Sequence, residues 1–129
     1  MKAIMLVSLC VCVLMGGCKA PSPIIEPNCP ITVSTEQVGN MKKAIVVAAT
    51  RLGWSAVDTG PTVVRCTLVK GIHEVKVDVV YTDKNFLIRY VDSKEMEYDP
   101  SMKTISRKYN QWVRNLEKEI RIQLSQFSL

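Results

Sequence analysis

One histidine, His73, is all the chain offers for proton transfer near neutral pH, and aromatic side chains make up only 6% of its residues. No ligand pair at C-x-x-C or H-x-x-H spacing occurs, and there is no glycine-rich phosphate loop and no G-x-S-x-G elbow. Those absences exclude the commonest zinc, nucleotide and serine-hydrolase architectures. Asp92, Glu95, Glu97 and Asp99 cluster late in the chain without the ligand spacing of a calcium loop, so they read as a solvated turn. The basic residues that give the net charge of +5 do not interleave with exposed aromatics, which excludes a single-stranded nucleic-acid platform. Only one apolar run is long, and it lies at the N-terminus.

That run explains itself through its ends. Lys2 precedes it, and Ala3 to Met15 is apolar except for Ser8, Cys10 and Cys12. A helix needs roughly 20 apolar residues to cross a bilayer, so 13 residues have the proportions of a secretory h-region. Residues 1–17 are therefore expected to be a signal peptide. The stretch that closes it, Leu14-Met15-Gly16-Gly17-Cys18, resembles a bacterial lipobox, with Met15 at a position more often held by leucine. Small residues at Gly16 and Gly17 let an extended backbone enter a peptidase cleft. The resemblance implies a diacylglyceryl group on the Cys18 thiol, cleavage before it, and a membrane anchor of two or three acyl chains. Lys19, where an aspartate would favour inner-membrane retention, implies the outer membrane with the domain facing the periplasm.

Of five cysteines this leaves Cys29 and Cys66. In an oxidising compartment they are a candidate disulfide, against the alternative that Cys66 is a small buried apolar side chain. Residues 18–33 hold four prolines, Pro21, Pro23, Pro27 and Pro30, and read as a semi-rigid tether. At about 3.1 Å per residue in polyproline geometry, its 12 residues from Lys19 would hold a domain up to roughly 35 Å from the bilayer.

The globular domain is expected over residues 34–129. Ser34 and Gln37 form a capping-box pair, and Val38, Met41, Ile45, Ala48, Ala49 and Leu52 follow at helical spacing, predicting a helix from about 35 to 52 that Gly53 ends. The period then changes to two. Strands are predicted at Trp54 to Val57, Thr62 to Val69, Ile72 to Tyr81 and Phe86 to Asp92, with Val64, Cys66, Leu68, Val75, Val77, Val79, Tyr81, Phe86, Ile88 and Tyr90 facing inward. A second helix is predicted from about Thr104 to Ser125, burying Ile105, Tyr109, Trp112, Leu116, Ile120 and Leu124 and carrying a basic outer side that could lean on anionic headgroups. The expected fold is an α+β two-layer sandwich: a four-stranded antiparallel sheet with two helices on one face, in the order α-β-β-β-β-α. Its outer face, with Val63, Val69, Val80, Leu87 and Val91, looks too apolar to be bare, which points to an envelope protein partner or a homodimer.

Tyr109, Asn110, Trp112 and Leu116, together with "IRYVDS" and "RLGW", are similar to a family of small Gram-negative envelope lipoproteins with a Tyr-Asn-x-Trp-Val helix and no established activity. The resemblance covers about residues 40 to 125. His73, in phase with Val75 and Val77, reads as a hydrogen-bonded structural residue rather than as a base or a metal ligand. Cys66 beside it across the Lys70-Gly71 turn would point into the core, where thiols are inert. The chain is thus read as a non-catalytic binding or structural lipoprotein with no cofactor and no metal. The alternative is a small enzyme or ligand carrier with a pocket near His73 and Tyr90.

Overall fold

In the computed structural model, residues 20–31 and 38–127 are described, Phe127 by its backbone alone. The expected signal peptide, Cys18, the Ser34–Gln37 cap and the side chain of Phe127 lie outside the described residues. Two short strands come first, β1 (Ser22–Pro23) and β2 (Asn28–Pro30), followed by helix α1 (Val38–Arg51). Strands β3 (Ser55–Gly60), β4 (Val63–Lys70), β5 (His73–Tyr81) and β6 (Asn85–Lys94) follow, then β7 (Thr104–Ile105) and helix α2 (Arg107–Phe127).

Helix α1 buries Met41, Ala44, Ile45, Ala48 and Ala49, one stripe at spacings of three and four. It stops at Gly53, whose φ of 88° permits the amides of Gly53 and Trp54 to reach back to the carbonyls of Thr50 (3.1 Å) and Ala49 (2.9 Å). This is the Schellman pattern, and Trp54, only 4% exposed, supplies the accompanying apolar contact. Helix α2 starts later than its periodicity predicts, because Thr104–Ile105 pairs with Ser22–Pro23 instead of winding on. Ser106 then caps the helix, its Oγ accepting the Lys108 amide at 3.3 Å.

The four long strands form successive antiparallel pairs, and β4 meets β5 through a two-residue turn in which Gly71 takes a φ of 62°. The architecture is α+β, as the patterning implies, but the main sheet has five strands rather than four, in the order β2-β6-β5-β4-β3, and β1 and β7 make a separate ribbon. The fifth strand comes from the proline-rich segment. Alternation set the inward face correctly: Val64, Cys66, Leu68, Val75, Val77, Val79, Tyr81, Phe86 and Ile88 share one core with Tyr109, Val113, Leu116 and Ile120 of α2 and the buried stripe of α1.

The outer face of the sheet is less bare than its valines suggest. Val63, Val80 and Leu87 lie across from one another on β4, β5 and β6 and shield each other to half-burial, as does Val91 nearby. The next row is charged: Arg65 makes a two-pronged bond to Asp78 (2.9 and 3.0 Å) and Arg89 stands opposite Asp78. Among the described residues only Val57 (57%), which sits opposite Arg65 at the end of that charged row, and Val69 (60%) are largely exposed there, with Thr67 between them.

Candidate functional site

The segment expected to be a spacer lies against the domain along most of its length. Asn110, one turn into α2, holds its first part. The Ile25 amide donates to Asn110 Oδ1 (3.2 Å), and Asn110 Nδ2 donates to the Ser22 hydroxyl (2.7 Å) and the Pro23 carbonyl (2.9 Å). One side chain thus serves three groups within a stretch of four residues, which an amide can do because it carries donors and acceptor on one plane. The Ile24 amide bonds the Lys103 carbonyl (3.0 Å), and Arg107 Nε donates to the carbonyl of Ala20 (3.2 Å). Farther along, Glu26 accepts the Tyr90 amide (2.9 Å), the Pro27 carbonyl accepts the Ile88 amide (3.0 Å), and β2 pairs with β6. The prolines do not prevent this, since Pro23 and Pro30 sit at strand ends on outermost strands where no amide is needed.

Cys29 lies in that strap, 2% exposed, with its thiol donating to Glu117 (2.8 Å) and accepting from Arg121 (3.5 Å). Burial pushes its pKa up, and the Glu117 carboxylate pushes the same way. Cys66 is in the core of β4, raised to about 12 by burial and, secondarily, by the charge of Asp78. Both thiols are free, so the candidate disulfide is not formed. Three strand spacings separate β2 from β4, about 14 Å at the usual 4.8 Å, while a disulfide holds its Cα atoms within about 7 Å.

His73 is half-buried at the start of β5, with Nδ1 2.6 Å from the Glu95 carbonyl oxygen and its ring edge-on to Trp112 at 6.4 Å. A carbonyl can only accept, so Nδ1 carries the proton and the ring is oriented as a structural bridge between β5 and the loop after β6. It opens on a cleft of about 690 Å³ shared with Ser106, Arg107, Lys108 and Gln111. Tyr90 belongs to a different cleft, of about 610 Å³, with Ser93, Met96 and Tyr98. The expected single pocket near His73 and Tyr90 is therefore two, divided by Glu95 and Glu97, which line both. Both glutamates have positive φ (55° and 57°), a conformation that costs a non-glycine residue about 1 kcal/mol or more. The buried Met96 between them, whose carbonyl accepts the Ser106 amide at 2.8 Å, holds them there. Among the described residues, no group of three or more His, Cys, Asp or Glu is placed to hold a metal ion.

Tyr90 stacks on Tyr98 (4.4 Å) and meets Tyr109 edge-on (5.7 Å). The Tyr109 hydroxyl is fully buried without a hydrogen-bond partner among the described residues, and burial, with the charge of Glu26 second, pushes its pKa far up. Tyr109→Phe is accordingly expected to stabilise the fold by about 1 to 2 kcal/mol, because it removes a desolvated hydroxyl and keeps the ring. Urea unfolding of both proteins checks this, and a loss of stability would mean that the hydroxyl has a bonded partner such as a buried water.

The sequence pattern carried no sign of the strap clamp, since Asn110 looks like an ordinary polar position on α2. Its nearest signal is Asn110's place in the Tyr-Asn-x-Trp-Val motif. No family model, curated protein or solved structure matches the chain.

Proposed function

We propose that the chain is a lipid-anchored bacterial envelope protein, carried on Cys18 in the outer membrane and facing the periplasm, whose domain is a non-catalytic binding or structural module. The observation that carries this reading is the sequence Leu14 to Cys18 at the end of a 13-residue apolar run. The placement of the strap supports it, because the domain takes hold of the chain at Ala20, two residues after the cysteine that would bear lipid. The bridging role of His73 and the high thiol pKa of Cys66 support the non-catalytic part. No helix among the described residues is long and apolar enough to cross a membrane.

Mass spectrometry of the protein from bacterial membranes tests the proposal. The expected N-terminal peptide begins at Cys18 and carries a diacylglyceryl adduct, and Cys18→Ala accumulates as an uncleaved precursor. Recovery of a chain that keeps Met1 and an unmodified Cys18 would overturn it.

A further inference from the structure

We propose that the domain is seated directly on an anionic lipid surface, with the outer stripe of α2 (Arg107, Arg114 and Lys118) against the headgroups. This rests on the lipid anchor at Cys18. It follows from how little free chain there is between that anchor and the fold. The Ala20 carbonyl is held by Arg107, and Ser22, Pro23, Ile24 and Ile25 are tied down by Asn110 and Lys103. Two residues of extended backbone reach at most about 7 Å. Acyl chains on Cys18 therefore place the bilayer surface beside Ala20 and the start of α2, and the reach of roughly 35 Å expected for a free proline-rich tether does not apply.

The surface found there is cationic. At about 100° per residue, Arg107, Arg114 and Lys118 fall within about 40° of one another on α2, and the buried positions Tyr109, Val113, Leu116 and Ile120 centre on the opposite side. The stripe spans 12 residues, about 16 Å along the helix, starting at the end nearest the anchor. No carboxylate among the described residues pairs with any of the three; Arg121, about 20° beyond Arg114 on the same side of α2, is tied to Glu117, and Arg51 to Glu119. Arg107 and Arg114 also border the groove, about 690 Å³, that runs beside Ser22 and Ile25. Glu95 and Glu97 lie in the His73 cleft on the other flank of Arg107, off the stripe. Lys103 and the exposed Met102, next to the point where Lys103 holds Ile24, extend the same end of the molecule. A row of solvated cations that covalent attachment forces toward a membrane is complementary to phosphate headgroups, and the strap fixes its orientation.

The test uses the processed, acylated protein in vesicles of phosphatidylglycerol and phosphatidylcholine, and in vesicles of phosphatidylcholine alone. A short pulse of amine acetylation is read by mass spectrometry at Lys118 and, as references on the far side and at a strand turn, at Lys76 and Lys84. On anionic vesicles Lys118 is expected to react roughly fivefold more slowly than in phosphatidylcholine, with Lys76 and Lys84 unchanged. Arg114→Glu, a change at an exposed residue, should restore much of the Lys118 reactivity. Equal Lys118 rates on the two vesicle types, with Cys18 acylated in the same digest, would overturn the seating and leave the anchor standing. A digest in which Cys18 is bare removes the anchor itself.

Discussion

Asn110→Ala is expected to unfasten residues 22–25 and to cost about 2 to 3 kcal/mol of stability. Three hydrogen bonds end on the lost amide, two of them part-buried, and each contributes about 1 kcal/mol net. The total is bounded from above, because once the strap lets go it recovers backbone entropy of about 1 kcal/mol or more per released residue. Past that point the remaining domain loses nothing further from this substitution. Two readings follow from that bound. Denaturant unfolding should show the loss of stability, and amide exchange should show its location: protection falls first at Ile24, Ile25 and Ile88, whose amides bond across the strap or its anchor points, while amides of β4 and β5 keep theirs. Uniform loss of protection across the sheet would mean that Asn110 supports the core rather than the strap.

Alkaline pH should unfold the protein through Cys66. Its pKa is raised from an ordinary 9.0 to about 12 in the fold, first by burial and then by Asp78. Below about pH 9 the thiol is protonated folded and unfolded, and its contribution is fully present. Between about 9 and 12 the unfolded chain ionises and the folded one does not, so stability falls by about 1.4 kcal/mol per pH unit, roughly 4 kcal/mol over the window. Tyr109 and Cys29, both raised by burial, act in the same direction, as does Lys42, whose bond to Asp58 raises it. The share of Cys66 is isolated by comparison with Cys66→Ala. That variant starts lower by about 1 kcal/mol for the small cavity, and its denaturant midpoint should fall much less steeply from pH 9 upward. Parallel curves for the two proteins would show that Cys66 is not shielded from water.

What could be read from the sequence was whatever buries one side of a regular element. In β5, Val75, Val77, Val79 and Tyr81 alternate with Glu74, Lys76 and Asp78 almost without exception, and every one of the four is buried. The stripe from Tyr109 to Leu124 locates α2 to within a few residues, and the helix starts later than its pattern only because Thr104 and Ile105 have strand partners 81 and 83 residues upstream. Long-range backbone pairing leaves no period in a segment as short as β1 or β2, and four prolines argued locally against any pairing. Cys29 reads in the sequence as a candidate disulfide partner, but its burial depends on Glu117 and Arg121, which look like ordinary surface charges. The turn at Glu95 and Glu97 carries no glycine to announce its left-handed backbone; tertiary contacts through Met96 impose it. The four residues of the Tyr-Asn-x-Trp-Val resemblance divide the labour: Tyr109 and Leu116 fill the core, Asn110 holds the strap, and Trp112 lies half-buried beneath the Lys70 ammonium at 5.6 Å.

The place of β2 has a consequence for solubility. A β-sheet ends in rows of unpaired amides and carbonyls, which recruit strands from other molecules. β6 is the longest strand and rich in aromatic and branched residues, and β2 caps its first part, with Asn28, Cys29 and Pro30 opposite Leu87, Phe86 and Asn85. Pro30 then faces outward with no amide to offer a newcomer. A shortened chain beginning at residue 34, where the helix pattern starts, would lay that template open and expose Phe86 beside it. Docking of the proline-rich segment thus covers the first part of the β6 edge against pairing with strands of other molecules.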